Sequence, residues 1–355
     1  MKVGIIHPFF DVLGGAEQTT LFLIEALKKT KCLTTLYTVE PPSISETHNF
    51  RVHKISKKTF PPLWRYQRMK EIKNLYRDSQ EEDVLIIMGG GFMLEKTKVS
   101  KIILYCHSTF EGEDEFVRKK FSGVKGIYYK IIQDNLKNGF TYIQNQKVRL
   151  ISNSNYTKSE ILGRFGKDAV IIYPPVDTGK FSRWFDSPKK DKIITVSRFS
   201  PEKNLEFAID VINNTGLTYE LIGNARYESQ LMSYNNLKLM ANQENISLYC
   251  NLSPKDMENL LGSAKVYFHT SKETFGISVI ESISAGCIPI VPNNSAFLET
   301  VPFETLRFND KEDAIKKLQY AISGKYDHMR MELKKHIEKF SIKSFQENML
   351  REIQN

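Results

Sequence analysis

The sequence predicts an α/β protein built from two parallel-sheet domains. The chain has 355 residues, more than twice the size of a common single domain. Hydrophobic residues make up 41% and charged residues 26%, a composition typical of globular proteins with buried cores. Short apolar runs alternate with segments of helical length, as in parallel sheets connected by helices. This composition excludes a disordered chain, a collagen and a multi-span membrane protein.

In the first half, six apolar runs predict strands and one amphipathic segment predicts a helix. The strands are Val3–His7, Leu33–Val39, Val84–Met88, Ile102–Cys106, Leu150–Asn153 and Val170–Tyr173, and the helix is Ala16–Lys29. Pro174 and Pro175 follow the last run, and proline cannot continue regular strand pairing. We therefore expect the first domain to end there.

A second series of strands and helices begins after the prolines. The predicted strands are Lys192–Ser197, Tyr219–Ile222, Ile246–Leu248, Val266–His269 and Ile288–Val291. The predicted helices are Leu205–Asn213, Pro254–Gly262, Gly276–Gly286 and a segment from Lys311 onward. We place an N-terminal Rossmann-like domain at residues 1–174 and a second Rossmann-like domain at 175–335. A C-terminal helix at 336–355 is expected to pack back toward the N-terminal domain.

The chain carries no pattern for export or for a disulfide framework. Met1–His7 has the pattern of a first strand and not of a signal peptide. The four cysteines are far apart and form no CxxC motif, so we expect reduced thiols. We expect a cytoplasmic protein that associates peripherally with a membrane.

The charge is concentrated in the first half of the chain. Residues 1–180 have 28 basic and 19 acidic residues, whereas residues 181–355 have 22 of each. Residues 51–77 alone hold nine basic residues and one acidic residue, interleaved with aromatic and apolar side chains. Such a mixture suits an anionic lipid surface, a nucleic-acid backbone, or simply a solvated helix face. We favour the membrane surface, through Trp64, Arg65, Arg68 and Lys70, and expect no nucleic-acid partner.

The strongest local pattern lies in residues 272–291, KETFGISVIESISAGCIPIV. A predicted strand leads into a loop that contains Glu273, and Gly276 opens a helix. The unpaired N–H groups at a helix start attract anions such as a diphosphate. Glu281, five residues past Gly276, could accept hydrogen bonds from vicinal hydroxyls, as acidic residues do for ribose in dinucleotide folds.

This Glu-x7-Glu segment resembles the donor-site motif of retaining glycosyltransferase family 4, whose members have the two-domain GT-B architecture. The segment 197–204, SRFSPEKN, lies where that family keeps an arginine and a lysine for the donor diphosphate. Residues 14–17, GGAE, resemble its glycine-rich loop, and residues 152–157 and 172–177 resemble the segments leading to the interdomain crossing. The resemblance implies two Rossmann-like domains facing across a cleft.

The resemblance assigns roles to individual residues. It implies that Arg198 and Lys203 neutralise the donor diphosphate, with Gly15 in the glycine-rich loop also at the donor. It implies that Glu281 binds the ribose. The donor sugar would be held by Glu273 with the backbone of Phe275, Gly276 and Ile277.

His107, which follows a predicted strand, matches the family histidine that contacts the donor sugar near its anomeric carbon. His7 and His269 lack such support and are interpreted as packing residues. Gly89, Gly90 and Gly91 are interpreted as a turn at the end of a strand, because no Lys-Ser/Thr follows them.

The implied chemistry needs no metal and no cofactor beyond the nucleotide sugar. No DxD-type pair is placed to hold a metal, and Arg198 with Lys203 could stabilise the leaving diphosphate instead. The family picture is front-face attack, with the leaving phosphate helping to take the acceptor proton. Double displacement would need a carboxylate under the anomeric carbon, and whether Glu273 is that nucleophile or a sugar ligand stays open.

The acceptor and donor are less closely specified. The chain looks most similar to the lipid-linked-oligosaccharide mannosyltransferases of the family, which favours GDP-mannose over a UDP-sugar. We expect a lipid-linked glycan or glycolipid acceptor, bound mainly by the first domain. The alternatives are a soluble or protein acceptor, a GT-B sugar-nucleotide epimerase, and a nucleic-acid-binding protein without catalytic activity.

Overall fold

The computed structural model describes residues 1–10, 14–39, 51–54, 64–89, 95–108, 115, 117–120, 122–241 and 244–355. The described chain divides into two compact units. Unit 1 comprises Met1–Pro175 with Ile342–Asn355, and unit 2 comprises Val176–Ser341.

Unit 1 contains a sheet in which the described residues form seven parallel strands, in the order β3-β2-β1-β4-β5-β6-β7. The strands are β1 Lys2–Ile6, β2 Leu33–Thr38, β3 Arg51–Lys54, β4 Val84–Ile87, β5 Lys101–Cys106, β6 Val148–Ser152 and β7 Val170–Ile171. The connecting helices are α1 Gly15–Lys28, α2 Trp64–Asp78, α3 Gly123–Asn145 and α4 Asn155–Phe165.

Side chains of the unit 1 strands alternate between two hydrophobic layers, because successive residues of a strand point to opposite faces. In β5, Ile102 and Leu104 pack on one face, while Ile103 and Tyr105 pack on the other. Both faces are covered by helices. This explains why the central strands are continuous apolar runs in the sequence.

Unit 2 contains a second parallel sheet, in which the described residues form six strands in the order β10-β9-β8-β11-β12-β13. The strands are β8 Lys190–Arg198, β9 Tyr219–Asn224, β10 Ile246–Cys250, β11 Ala264–Phe268, β12 Ile288–Pro292 and β13 Arg307–Phe308. The helices are α5 Thr178–Ser182, α6 Leu205–Asn213, α7 Glu228–Met240, α8 Pro254–Ser263, α9 Ile277–Ser284, α10 Phe297–Thr300, α11 Lys311–Ile322 and α12 Arg330–Ile337.

Each sheet reverses its strand order once, between β1 and β4 in unit 1 and between β8 and β11 in unit 2. Doubly wound sheets bind ligands at the carboxyl ends of the strands beside such a reversal. The two reversals therefore mark the positions in each unit where a site is expected. The predicted α/β fold with two Rossmann-like domains is confirmed.

The chain leaves unit 1 after Pro175 and returns to it at Ile342. At this crossing, Val176 N–H donates to the Phe340 carbonyl at 2.9 Å. The last helix, α13 Ile342–Gln354, packs in unit 1 through Phe345, Met349 and Ile353. It begins six residues later than the segment 336–355 predicted for it, because the preceding residues complete α12 and a short turn in unit 2.

Several elements differ from the sequence predictions. Val170–Tyr173 pairs only over Val170–Ile171, because the chain turns toward the two prolines. The strands β3 and β13 were not predicted. β13 has only two residues, too few to show an alternating apolar pattern. In β3, basic residues interrupt the apolar pattern of the sequence. Gly90 and Gly91 lie outside the described residues.

Candidate active site

Glu273 is the centre of a hydrogen-bonded cluster just beyond the end of β11. Its Oε1 lies 2.5 Å from Lys203 Nζ, 3.1 Å from His269 Nε2 and 3.1 Å from Ser271 Oγ. Burial raises the pKa of Glu273, but the contacts with His269 and Lys203 outweigh it and lower the pKa to about 2. Glu273 is therefore a carboxylate at any physiological pH, and it cannot serve as a general acid.

The local backbone brings Lys203 to Glu273. Lys203 ends a short 3₁₀ turn after β8, and its carbonyl accepts a hydrogen bond from Thr270 Oγ1 at 3.0 Å. The next residue, Asn204, has a positive φ of 50° and donates from Nδ2 to the Thr270 carbonyl at 3.3 Å. These two bonds tie the loop after β8 to the loop after β11. Two segments 70 residues apart thus meet at one carboxylate.

Gly276 starts α9 from a backbone conformation that favours glycine. Its φ is +88°, and a Cβ at this position would lie 2.9 Å from Phe297 Cε1. The Gly276 carbonyl accepts from Val279 N–H at 3.0 Å, and Ile277 is the first helical residue. Phe275 is buried and packs edge-on against Phe340, so only its backbone is available to a ligand.

Glu281 lies on the second turn of α9 and is half-buried. Burial is the largest influence on its carboxyl group and raises the pKa to about 7, although Lys180 lowers it. Asp177 and Glu258 add negative charge nearby and raise it further. Among the described residues, no side chain or backbone group forms a hydrogen bond or ion pair with this carboxylate. It can therefore accept hydrogen bonds from a ligand.

Arg198 lies at the carboxyl end of β8, as the sequence predicts, but it is not part of the Glu273 cluster. Its side chain is 63% exposed and makes a long ion pair with Glu202 at 3.4 Å. Lys203, by contrast, is only 17% exposed. The structure therefore brings Lys203 and Glu273 together and leaves Arg198 extended into solvent at the same edge of the sheet.

In unit 1, His7 at the end of β1 contacts the glycine-rich loop, residues 14–17, through Glu17. His7 Nδ1 lies 2.9 Å from Thr20 Oγ1, and His7 Nε2 lies 3.3 Å from Glu17 Oε1. The other oxygen of Glu17 accepts from the Gly14 N–H at 2.9 Å, next to Gly15, the first residue of α1. Burial raises the pKa of Glu17, but these hydrogen bonds outweigh it and the pKa is lowered.

His107 follows β5 at the same edge of the sheet. Burial is the main cause of a pKa of about 3, helped by the neighbouring His7, while Glu17 and a hydrogen bond to Met88 oppose it. Its ring lies 4.7 Å from that of Tyr105, and its carbonyl accepts from Asn153 Nδ2 at 2.9 Å. His107 is therefore neutral at physiological pH and can act as a hydrogen-bonding group but not as a cation.

The interpretation of His7 and His269 as packing residues is wrong in part. Each side chain is buried, but each also holds a carboxylate, Glu17 in one case and Glu273 in the other. The relevant signal was that each histidine is the last residue of a predicted strand, and in the structure each directly follows the end of β1 or β11. Side chains at that position lie at the ligand edge of a doubly wound sheet.

The predicted membrane segment is described only in part. The side chains of Trp64 and Arg65 and the whole of residues 55–63 lie outside the described residues. Arg68 is half-buried and its guanidinium lies 4.1 Å from the centre of the Phe9 ring, whereas Lys70 is exposed. Met69, one of the apolar residues interleaved with these charges, is buried and cannot meet a lipid surface.

Two features are absent from the part of the chain that the structure describes. There, no group of three or more histidine, cysteine or acidic side chains could hold a metal ion. No helix in those residues is long and apolar enough to cross a membrane.

Two family models match adjacent parts of the chain. "Glycosyltransferase Family 4" matches residues 13–180, and "Glycosyl transferases group 1" matches residues 180–340. Their junction at residue 180 falls close to the boundary between units 1 and 2. Together the two matches, over residues 13–340, support a family 4-like glycosyltransferase.

Solved structures with the same architecture establish the fold. HepE of Anabaena, in complex with UDP and glucose, is similar with a TM-score of 0.77 and 15% identity, covering 100% of this chain and 99% of that one. WaaG, a glycosyltransferase of lipopolysaccharide biosynthesis, gives a TM-score of 0.71 and 12% identity over 98% of each chain. At these identities the likeness concerns the GT-B fold and not the substrates.

A curated relative matches in sequence over a shorter region. It is a GDP-Man:Man(3)GlcNAc(2)-PP-Dol alpha-1,2-mannosyltransferase of Dictyostelium discoideum, 27% identical over 212 residues. The match covers 53% of this chain and 41% of the relative, so the chain spans less than half of that protein's length.

Proposed function

We propose that the protein transfers a hexose, with mannose favoured, from a nucleotide sugar to a lipid-linked glycan or glycolipid, with retention of anomeric configuration. The observation that carries this proposal is the Glu273 cluster. A half-buried carboxylate, a lysine and a histidine meet beside a helix start, at the reversal point of a doubly wound sheet. That is where such sheets bind nucleotides.

Lys203 is the group that receives the donor diphosphate. An ammonium has three protons, and one of them is used by Glu273, so two can bind phosphate oxygens. Arg198, exposed at the same edge, adds a second cation on donor binding. Together they stabilise the negative charge that develops on the leaving nucleoside diphosphate, in place of a metal ion.

Glu273 is proposed to bind the donor sugar and not to attack it. Its Oε1 is occupied by three partners, whereas Oε2 has none among the described residues. A carboxylate with a pKa of about 2 is a weak base and a weak nucleophile. Oε2 instead suits a sugar hydroxyl. The bond from the anomeric carbon to phosphate then breaks as the acceptor oxygen bonds to the same face, and the acceptor proton passes to the leaving phosphate.

Glu281 is proposed to accept hydrogen bonds from the ribose hydroxyls. It lies on the helix that starts at Gly276, and its carboxylate has no hydrogen-bond partner among the described residues. His107, neutral and in unit 1, is proposed to contact the donor sugar near the anomeric carbon. Gly15 belongs to the glycine-rich loop at the start of α1, and the N–H groups there are proposed to face a phosphate oxygen.

The acceptor is proposed to reach unit 1 from an anionic membrane surface. Residues 51–77 supply cations, of which Lys70 is exposed. The helix α3 adds two exposed apolar side chains one turn apart, Ile127 at 68% and Ile131 at 43% exposure. Exposed Lys119, Lys120 and Lys130 lie near them, since Gln133 of α3 donates to the Lys119 carbonyl at 2.8 Å. Apolar side chains beside cations are typical of surfaces that bind anionic lipids.

One experiment can distinguish the two candidate donors and the two candidate classes of acceptor. The name of the Dictyostelium relative favours GDP-mannose, while HepE is also known in complex with UDP-glucose. Purified protein would be incubated with each nucleotide sugar and a lipid extract, and the products analysed by mass spectrometry. A mannosylated lipid that is absent with Lys203→Ala supports the proposal. Transfer only to soluble glycans or proteins favours the alternative acceptors, and an altered nucleotide sugar without transfer favours an epimerase.

A further inference from the structure

Tyr267 is a fully buried residue of β11 whose hydroxyl group connects two parts of the candidate donor site. Its Oη lies 3.0 Å from the Val196 carbonyl oxygen, near the end of β8, and 2.9 Å from Ser278 Oγ, in the first turn of α9. A phenol has one proton and a carbonyl can only accept. Both bonds are therefore made when Tyr267 donates to Val196 and Ser278 donates to the phenol oxygen. We call this arrangement the Tyr267 bridge.

The ring of Tyr267 also contacts the Glu273 cluster. It stacks on the ring of His269, with 6.3 Å between centroids and 17° between planes, and His269 Nε2 in turn contacts Glu273. Burial raises the pKa of Tyr267, the hydrogen bonds with Ser278 and Val196 oppose this, and the charges of Glu281 and Glu273 add to the rise. One side chain thus touches β8, α9 and the partner of Glu273.

The helix α9 is short, with eight residues. The first N–H groups of a helix have no intrahelical acceptor, so side-chain contacts such as the Tyr267 bridge help to hold its first turn in place. Packing alone would be served equally well by phenylalanine, which carries no hydroxyl group to desolvate. The hydroxyl therefore contributes something other than apolar contact at this position.

We propose that Tyr267 is a positioning residue that fixes the first turn of α9 relative to the end of β8 and to Glu273. On this view the N–H groups of α9, which face the donor, and Lys203, which follows β8, are held at a set separation before the nucleotide sugar arrives. Preorganised groups stabilise developing charge better than groups that must rearrange. The proposal rests on the proposed donor function of this site.

The chain offers a matched control, Tyr219 of β9. This tyrosine is also fully buried in the same sheet, and its hydroxyl donates to Thr195 Oγ1 at 2.8 Å, in the middle of β8. Tyr219→Phe and Tyr267→Phe each remove one buried hydroxyl from the sheet of unit 2. Only Tyr267→Phe removes a contact with α9.

Steady-state kinetics with GDP-mannose and UDP-glucose test the positioning role. Tyr267→Phe is expected to lower kcat/KM about tenfold, mainly through a lower kcat because the lost preorganisation acts on the developing charge, and one hydrogen bond of ordinary strength corresponds to about that factor. Ser278→Ala should have a similar effect, and the double variant should be no worse than either single one. Tyr219→Phe should lose comparable stability in urea while kcat/KM stays unchanged.

Hydrogen exchange of the α9 amides provides a readout that does not depend on turnover. Exchange at Val279 and Ile280, whose N–H groups donate to the Gly276 carbonyl, should be faster in Tyr267→Phe than in wild type and unaltered in Tyr219→Phe. Unchanged exchange in Tyr267→Phe would overturn the bridge, and an equal kinetic loss in Tyr219→Phe would overturn the positioning role. If exchange changes as expected but wild type uses no nucleotide sugar, the proposed donor function is wrong while the bridge stands as a structural contact.

Discussion

Lys203 is the residue on which most of the proposed chemistry depends. It forms the 2.5 Å contact with Glu273 and is the least exposed cation of the donor edge that the structure describes. Lys203→Ala is expected to lower turnover by roughly 10²–10³, in the range for removing one preorganised charge stabiliser. The control is Lys272→Ala, which removes an exposed lysine next to Glu273 that makes no described contact. Equal rates in Lys203→Ala and Lys272→Ala would place the diphosphate elsewhere.

Glu281 predicts a pH dependence of donor binding. Its pKa is raised from 4.5 to about 7, so ionising this residue destabilises the fold, and that loss of stability develops as the pH rises from 4.5 and is complete once the pH has passed 7. Ribose hydroxyls donate to the ionised form, so donor affinity should change in the opposite direction. Because only the ionised form binds, affinity should fall about tenfold between pH 8 and pH 6.

Calorimetric titration of the nucleoside diphosphate at several pH values measures this dependence. Glu281→Gln should bind more weakly at pH 8 and show a nearly flat profile. A wild-type profile that is also flat, or one that Glu281→Gln reproduces, would contradict the ribose assignment.

At the residue scale, the sequence motifs located the carboxylates and cations but not their partners. Glu273, Glu281, Arg198 and Lys203 could be singled out because their spacing resembles a family pattern. The contacts of Glu273 with His269 and Ser271 could not, since they depend on how the loop after β11 turns back on itself. Hydrogen bonds within such a loop leave no periodic pattern of residue types in the sequence.

Among the elements, α9 links the fold most directly to the site, and Gly276 sets where it begins. Gly276→Ala should destabilise the protein by about 1–2 kcal/mol from the positive φ alone, with a further cost from crowding against Phe297. Gly216→Ala is the matched control, since its φ is +67° but no atom lies within 4 Å of the added Cβ. Urea unfolding and nucleotide affinity should be measured together. Both variants should lose stability, but only Gly276→Ala should lose affinity; equal affinities would mean that α9 does not bind the donor.

Apolar periodicity was sufficient to predict the central strands, because strands buried on both faces are continuous apolar runs. It failed for β3, β13 and most helices of unit 1, where charged side chains or short length hide the pattern. The basic segment shows the same limit. Its charges were evident in the sequence, but only the packing of α2 reveals that Met69 is buried and Arg68 covers Phe9.

For the whole molecule, the uneven charge predicts binding of unit 1 to anionic vesicles. Ile127→Ser/Ile131→Ser should weaken sedimentation with anionic vesicles, and Lys119→Glu/Lys120→Glu/Lys130→Glu should weaken it more, since each basic residue near the surface contributes about 1 kcal/mol. Added salt should weaken binding of wild type. Neutral vesicles should not be bound.

Two variants control for the chemistry of the substitutions. Leu162→Ser removes an exposed leucine elsewhere in unit 1, and Lys190→Glu/Lys255→Glu/Lys316→Glu makes the same charge change in unit 2. Binding lost equally in these controls would reflect net charge or general polarity and not the proposed surface. A wild type that ignores anionic vesicles would make a soluble acceptor the better proposal.

The central claim is that unit 2 binds and activates a nucleotide sugar, and donor hydrolysis tests it most directly. The full chain would be incubated with GDP-mannose, UDP-glucose and related donors without acceptor, with and without EDTA, and release of nucleoside diphosphate followed by chromatography. We expect slow release from at least one donor, undiminished by EDTA, and its loss in Lys203→Ala but not in Lys272→Ala. No release and no binding with any donor, or activity that EDTA abolishes and Mn²⁺ restores, would contradict it.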